Sequence, residues 1–269
     1  MPRRFDCIMF RDELDMLEMR LHELDGAVDF HVLVECATTH RGVAKPLVFQ
    51  ENLDRFAPWL DRIHHVVAEP EPGLAPWAVE HAQRDAAWQA VLFTGTADDD
   101  IVLICDVDEI PSAPALAWEG PGAVALWMRT TLYAVDWEVP ASYPLPPTAV
   151  AATVAHLRQH GGHLGAVRDQ RSAYPVITDG GWHFSWTGGP ERQKAKLLTG
   201  TCHTELLSHP EANLILSGAR YRDGVDGGGI PVVPTTVDES WPQWIYQRKC
   251  PPEWFRPRPA SKEEGANAR

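Results

Sequence analysis

The sequence predicts an α/β fold in which a mostly parallel β-sheet is flanked by helices. Short apolar, β-branched segments recur along the first half of the chain, and segments with helical spacing of apolar residues separate them. The segment 101–105 is apolar at every position, which is typical of an interior strand covered on both faces. Ligands of such sheets bind beyond the carboxyl ends of the strands, so we expect the functional site at that edge.

The individual elements follow from local patterns. Leucines recur every three or four positions in the segment 14–24, which predicts a helix with Asp12 as its N-cap and Gly26 as its stop. A second helix is predicted over 77–93. Strands are predicted at 5–10, 28–35, 63–68, 101–105 and 123–128. The second half is rich in Pro, Gly and Trp, and we expect it to form a smaller, irregular lobe over the site edge.

Length and composition limit the function classes. The 269 residues suit one domain, placed at 1–256, followed by a polar tail at 257–269. The net charge of −13 argues against a surface for nucleic acid or anionic membranes. No apolar segment is as long as a membrane span, and the first residues lack the features of a signal peptide. The cysteines number five and form no CxxC pair, so we expect reduced thiols and a cytoplasmic location.

The strongest chemical signal is a group of carboxylates. Asp106, Asp108 and Glu109 come directly after the apolar strand 101–105. Crowded carboxylates repel one another and resist dehydration, so solvent or a cation must neutralise them. Oxygen ligands select a hard divalent cation such as Mn²⁺ or Mg²⁺. The alternative is a solvated acidic loop in which Asp106 caps a turn, and the spacing alone leaves both interpretations open.

Three segments together resemble a known family. They are residues 9–35, ICDVDEIPSAP at 104–114 and GWHFSWTGGPE at 181–191. In this order they resemble glycosyltransferase family 17. The resemblance implies a GT-A-type fold and a nucleotide-sugar donor, by family UDP-N-acetylglucosamine. It also implies a divalent cation at Asp106 and Asp108, and inverting transfer of the sugar to a hydroxyl of a glycan or small molecule.

An acidic chain that binds a nucleoside diphosphate needs a cation and a few well-placed arginines. Arg84 and Arg129 are the candidates, with surface ion pairs as the alternative for each. Glu35 ends the second strand and is a candidate contact for the ribose or base. Glu13, in the first family segment, and Trp186, a candidate for stacking on a sugar, complete the predicted donor-binding set.

The third family segment carries the remaining candidate ligand. Alternation in a strand places Trp182, Phe184 and Trp186 on one face and His183 on the other. His183 is therefore a candidate metal ligand, with His203 as the second choice and a purely structural histidine as the alternative.

An inverting transfer also requires a carboxylate that accepts the proton of the acceptor hydroxyl. Glu191 is the first candidate because it follows the His183 segment in a turn-forming context. The other candidates are Asp179, Glu205 and Asp226. Apart from the resemblance, two other functions remain open: a metal-dependent phosphohydrolase of nucleotide sugars and a non-catalytic sugar-binding module.

Overall fold

The computed structural model describes residues 1–39, 42–71, 73–199, 210–223 and 229–257. The strands are β1 (Arg4–Phe10), β2 (Phe30–Cys36), β3 (Ile63–Ala68), β4 (Ile101–Asp106), β5 (Glu109–Pro111), β6 (Ala123–Leu126), β7 (Arg129–Leu132), β8 (Trp137–Glu138), β9 (Ala149–Thr153), β10 (Val176–Ile177), β11 (Gly181–Ser185) and β12 (Val233–Pro234). The α-helices are α1 (Leu14–Glu23), α2 (Pro76–Asp85), α3 (Ala87–Phe93), α4 (Ala113–Leu116), α5 (Val154–Gln159), α6 (Leu164–Asp169), α7 (Gly189–Thr199), α8 (Pro210–Leu216), α9 (Ala219–Asp223) and α10 (Gln243–Tyr246). Short 3-10 helices cover Gln50–Trp59, Gln170–Ala173 and Pro252–Trp254.

The larger sheet has seven strands in the order β10-β6-β9-β4-β1-β2-β3. Neighbouring strands are parallel except where β9 pairs with β4 and β6, since β9 runs antiparallel to both. β4 lies inside this sheet, between β1 and β9, as its continuous apolar sequence predicts. The predicted α/β class, with a mostly parallel sheet and flanking helices, is confirmed.

Each face of the larger sheet supports its own apolar core. Ile101, Leu103 and Cys105 of β4 pack on one face with residues of α1 and the C-terminal segment. Val102 and Ile104 pack on the other face with residues of α3, α5 and α6. Successive side chains of a strand point to opposite faces, so a strand covered on both sides must be apolar throughout.

Some predicted boundaries were wrong. The helix predicted over 77–93 is two helices, α2 and α3, separated at Ala86, whose own backbone angles are helical. Asp12 does not cap α1, because α1 has no side-chain cap among the described residues. The Glu13 carboxylate instead accepts hydrogen bonds from the backbone N–H groups of Arg11 (3.0 Å) and Asp12 (3.1 Å). The strand predicted to begin at Val28 begins at Phe30.

The smaller sheet has five strands in the order β12-β8-β7-β11-β5. It was not predicted, and it gives the second half more regular structure than expected. β5 begins at Glu109, so only Val107 and Asp108 separate it from the end of β4. The antiparallel pairing of β5 with β11 places His183 opposite Glu109. The acidic segment is therefore the junction between the two sheets.

None of the helices in the described ranges combines the length and the apolar character that a membrane span requires. Of the predicted polar tail, only residue 257 falls within the described part of the chain.

Candidate active site

A cleft of about 380 Å³ lies at the carboxyl ends of β1, β2 and β4, and we call it the first cleft. Its walls include Phe10, Cys36 and Asp106, which end these three strands. This is the edge at which a ligand is expected in a parallel sheet. Five residues of the predicted site line it: Glu13, Asp106, Asp108, His183 and Trp186.

Two arginines neutralise Asp106. Arg84 of α2 lies 3.0 Å from its Oδ1 atom, and Arg168 of α6 lies 3.0 Å from its Oδ2 atom. Burial alone would raise the pKa of Asp106, but the guanidinium groups of Arg168 and Arg84 hold this pKa well below its usual range. Both carboxylate oxygens are thus engaged by the protein itself. Arg168 was not predicted, because nothing in the local sequence of α6 points to this contact.

Glu109 shares the same arginine and shapes the turn. Its side chain is buried, and its Oε1 atom lies 2.6 Å from Arg168. Its Oε2 atom accepts a hydrogen bond from the backbone N–H of Asp106 at 2.7 Å. Burial, reinforced by Asp106 and Asp108, raises the pKa of Glu109 against the opposing effect of Arg168. Glu109 therefore orders the junction and does not line the first cleft.

Asp108 has a different environment. Its carboxylate has no ion-pair partner nearer than 3.8 Å among the described residues: Lys196 Nζ lies at 3.8 Å and His183 Nε2 at 3.9 Å. The main-chain carbonyl of Asp108 accepts a hydrogen bond from the N–H of Phe184 (2.9 Å), which ties the turn to β11. His183 Nδ1 is buried and has no hydrogen-bond partner among the described residues. Asp108 and His183 thus face each other across a gap longer than a hydrogen bond.

A divalent cation fits only part of the predicted ligand set. In the described ranges, no three His, Cys, Asp or Glu side chains are grouped closely enough to hold a metal ion. Asp108 and His183 supply an oxygen and a nitrogen donor that suit Mn²⁺, and both line the first cleft. Asp106 fits poorly, because its two oxygens already accept from Arg84 and Arg168.

A buried arginine holds the acidic turn from below. The Arg20 guanidinium is fully buried and pairs with Asp6, with Nε 2.8 Å from the Asp6 carboxylate. Its Nη1 atom also donates to the main-chain carbonyls of Asp106 (3.1 Å), Val107 (3.4 Å) and Glu109. Sequence reasoning missed this residue. A signal existed, since position 20 falls on the same helical face as the buried leucines at 17 and 24.

The first cleft is balanced in charge although the chain carries −13. The acidic residues in its wall are Glu13, Glu80, Asp106, Asp108 and Asp169. The basic residues are Arg11, Lys45, Arg168, Arg171 and Lys196. Positive charge is therefore concentrated here relative to the whole surface, which suits an anionic ligand.

Three predicted donor-binding residues do not line the first cleft. Glu35 is buried and accepts a hydrogen bond from Lys45 Nζ at 3.1 Å, so it positions a lysine that does line the cleft. Arg84 supports Asp106, as described above. Arg129 forms an ion pair with Glu138 at 2.7 Å within the smaller sheet.

Of the predicted proton acceptors, the two within the described residues, Glu191 and Asp179, do not lie at the cleft. The Glu191 side chain is 84% exposed and pairs with Lys194 at 2.7 Å. Asp179 is exposed in the turn before β11. Neither residue lines the first cleft or its neighbour described below. Glu205, Asp226 and the alternative ligand His203 lie outside the described residues.

Trp186 departs from the predicted alternation. It has a left-handed backbone, with φ of +60°, directly after β11. Trp182 and Phe184 pack with the core of the larger sheet, whereas Trp186 lies 6.3 Å from Tyr133 between ring centroids. A left-handed conformation is unfavourable for a bulky residue and is often retained at functional sites.

A second cleft of about 190 Å³ shares Trp186 and part of its lining with the first cleft. The residues shared by both are Glu13, Asp108, Trp186 and Lys196.

Residues 1–191 match the family model for glycosyltransferase family 17. The chain belongs to this family. The match confirms the resemblance drawn from the three sequence segments. It includes the acidic turn and β11, and therefore every predicted residue that lines the first cleft.

Two similar proteins, from Rattus norvegicus and Homo sapiens, are named beta-1,4-mannosyl-glycoprotein 4-beta-N-acetylglucosaminyltransferase. Each is 27% identical to this chain, over 74% of the chain and 43% of the relative. The chain thus spans less than half the length of these relatives.

Proposed function

We propose that this family 17 chain is a glycosyltransferase that transfers N-acetylglucosamine from UDP-N-acetylglucosamine to a hydroxyl of a glycan or small-molecule acceptor. The observation that carries the proposal is the pairing of Asp108 with His183, 3.9 Å apart, in a cleft at the carboxyl edge of the sheet. The family assignment favours transfer over a phosphohydrolase or a sugar-binding module, and the names of the relatives suggest the sugar.

The donor diphosphate is proposed to lie in the first cleft near its basic residues. Arg168, Arg171 and Lys196 line this cleft and can donate charge-assisted hydrogen bonds to phosphate oxygens. Lys196 Nζ also lies 5.3 Å from the centre of the Trp186 ring, so one residue joins the phosphate region to the aromatic wall. This arrangement supports binding of an anionic leaving group by an acidic protein.

We propose Asp108 and His183 as the protein ligands of Mn²⁺ or Mg²⁺. A bound cation would stabilise negative charge on the departing diphosphate. Asp106 has a positioning role in this scheme, because its carboxylate orders Arg84 and Arg168 at the cleft edge.

The reaction is proposed to invert the anomeric centre, with Glu13 as the proton acceptor. Glu13 is among the residues that line both clefts. Two backbone N–H groups bind its Oε2 atom, and Arg192 lies 3.0 Å from its Oε1 atom. These contacts use three of the roughly four acceptor positions of a carboxylate, so one position remains for the proton of an acceptor hydroxyl.

Fold type, domain organisation and location follow as part of the same proposal. The parallel order β3-β2-β1-β4, with a ligand cleft at the carboxyl edge, supports a GT-A-type domain over residues 1–256. The four cysteines within the described part of the chain are unpaired, which supports a reducing, cytoplasmic location.

Calorimetric titration with UDP-N-acetylglucosamine, with and without Mn²⁺, tests the proposal. We expect the donor to bind in a cation-dependent manner and His183→Ala to weaken this binding roughly tenfold. Losses of this size in metal affinity are typical when residues around a metal site are changed. His163→Ala is the control, because that side chain is 65% exposed and lines neither cleft. A transferase releases UDP, whereas a phosphohydrolase that cleaves the diphosphate releases UMP. Release of UMP, or no donor binding with or without Mn²⁺, would contradict the proposed function.

A further inference from the structure

The second cleft contains two buried polar atoms without partners. Thr187 is 6% exposed and Gln193 is fully buried, and both line this cleft. Neither Thr187 Oγ1 nor Gln193 Oε1 has a hydrogen-bond partner among the described residues. Buried polar atoms in native proteins are nearly always paired, so two unpartnered atoms that share one cleft make this cleft a candidate ligand site.

The local structure holds both groups in place. The Gln193 amide nitrogen donates to the main-chain carbonyl of Tyr133 at 3.0 Å, which leaves its Oε1 atom as the free acceptor. Thr187 lies between Trp186 and Gly188 in a tightly packed turn. A Cβ atom on Gly188 would lie 2.4 Å from Arg192 Cδ, so this position has no room for a side chain.

The charge of the second cleft differs from that of the first. Five carboxylates and three cationic side chains line it. Two of the three cations are already paired, Arg55 with Asp15 at 2.5 Å and Arg192 with Asp12 at 2.8 Å. A phosphate-bearing ligand would meet excess negative charge here. A neutral ligand with many hydroxyl groups would instead donate to the free oxygens.

Aromatic rings complete the lining. Trp186 and Trp254 both line the second cleft, but Trp254 is buried in the core, so only the half-buried Trp186 offers an apolar face that suits the C–H surface of a sugar ring. Trp254 is fixed in place, since its carbonyl accepts a hydrogen bond from the N–H of Val135 at 2.7 Å. The rim carries Glu253, which is exposed.

We propose that the second cleft is the acceptor site, and that it binds a neutral saccharide through Thr187 Oγ1 and Gln193 Oε1. The inference rests on the proposed function, because a saccharide there meets the first cleft at the wall formed by Glu13, Asp108 and Trp186. The hydroxyl of that saccharide would lose its proton to Glu13 and form the new bond to the sugar, while UDP leaves.

Thr187→Val tests the site, because it removes the hydroxyl and keeps the shape. The probes are methyl β-mannopyranoside and N,N′-diacetylchitobiose, measured by saturation-transfer NMR with UDP and Mg²⁺ present. We expect wild-type protein to bind at least one probe and the variant to bind it about tenfold more weakly, as for loss of a hydrogen bond to a buried site. Donor affinity is measured separately by calorimetry, so that failure of this inference can be distinguished from failure of the proposed function.

Thr131→Val is the matched control. Thr131 Oγ1 is also buried without a partner among the described residues, but Thr131 lines neither cleft. Removing either hydroxyl should leave thermal stability unchanged or raised. If Thr187→Val fails to fold, Thr187→Ala replaces it with the same expected result, because it also removes the hydroxyl and adds no atom in its place.

Three results would overturn the inference while donor binding stays intact. One is that neither probe binds the wild-type protein. Another is that the Thr187 and Thr131 variants affect probe binding equally. The third is that inorganic phosphate displaces the probe sugar. Absence of donor binding would instead count against the proposed function.

Discussion

The guanidinium group of Arg168 lies 3.0 Å from the Asp106 carboxylate and binds Glu109 at 2.6 Å through the same nitrogen. This contact divides the acidic segment into two parts. Asp106 and Glu109 are neutralised by the protein, whereas Asp108 keeps its carboxylate in the cleft without a close ion pair among the described residues. Because Asp106 and Asp108 lie in such different environments, we expect them to carry different tasks.

The first prediction separates these two tasks. Asp108→Asn should keep the free energy of unfolding within about 1 kcal/mol of wild type, because no short contact is lost. It should lower transferase turnover by roughly a hundredfold or more and remove Mn²⁺-dependent donor binding. Asp106→Asn should lower the free energy of unfolding by about 1–3 kcal/mol. This loss is smaller than for a fully buried ion pair, because the Asp106 side chain is 34% exposed and solvent screens its charge. Urea unfolding and donor titration measure both effects. Normal Mn²⁺-dependent binding by Asp108→Asn would rule out its role.

The second prediction concerns the proton acceptor. Glu13→Gln preserves shape and removes basicity, so turnover should fall roughly a hundredfold or more while donor affinity changes little. Glu191→Gln is the matched substitution outside both clefts, and its turnover should stay within about twofold of wild type, as is usual for exposed positions. Steady-state kinetics with separate donor titrations decide between them. The reverse pattern would return the role to Glu191, the first candidate on sequence grounds.

The third prediction uses the left-handed backbone of Trp186. Glycine tolerates this conformation and alanine does not, so Trp186→Gly should be more stable than Trp186→Ala by about 1 kcal/mol. At Trp182, within β11 and with an ordinary backbone, the order should reverse, because glycine weakens a strand. Thermal unfolding of the four variants tests this. Equal stability of both Trp186 variants would show that no strain is stored there.

The fourth prediction concerns pH and the support of the acidic turn. Burial would raise the pKa of Asp6, but Arg20 and His31 hold it well below its ordinary value. The stabilisation is therefore complete above the unfolded-state pKa of about 3.9 and is lost as the pH falls towards the folded-state pKa. Asp6→Asn should lower the free energy of unfolding by about 3–5 kcal/mol at pH 7, the usual cost of breaking a buried pair.

The deficit caused by Asp6→Asn should shrink below pH 4, where wild-type protein loses the same contribution. Asp25→Asn is the control, because Asp25 is 56% exposed in its pair with Arg62 and should change stability by less than about 1 kcal/mol. Urea unfolding at pH 7 and pH 3 provides the comparison. A deficit that is constant across this range would mean that Asp6 does not titrate as the buried pair requires.

The sequence by itself determined the α/β class and five of the seven strands of the larger sheet, whereas β9 and β10 were not predicted. It also located the edge where the cleft lies, because an apolar strand followed by Asp106 and Asp108 is typical of an interior strand, and ligands of parallel sheets bind at the carboxyl ends of such strands. The family segments added His183 and Trp186, and both line the cleft. These features depend on local periodicity and on short motifs, which a single chain shows directly.

Tertiary structure alone decided which groups neutralise each carboxylate. Arg168 and Lys196 reach the acidic turn from α6 and α7, and Arg20 reaches it from α1. The smaller sheet, which brings His183 beside Asp108, joins β5 to β11 across a long stretch of sequence. Long side chains form ion pairs according to distance in space, and local sequence patterns do not encode that distance. For this reason the sequence located the edge where the cleft lies, and only the packing of helices and sheets decided which of its charged side chains are paired.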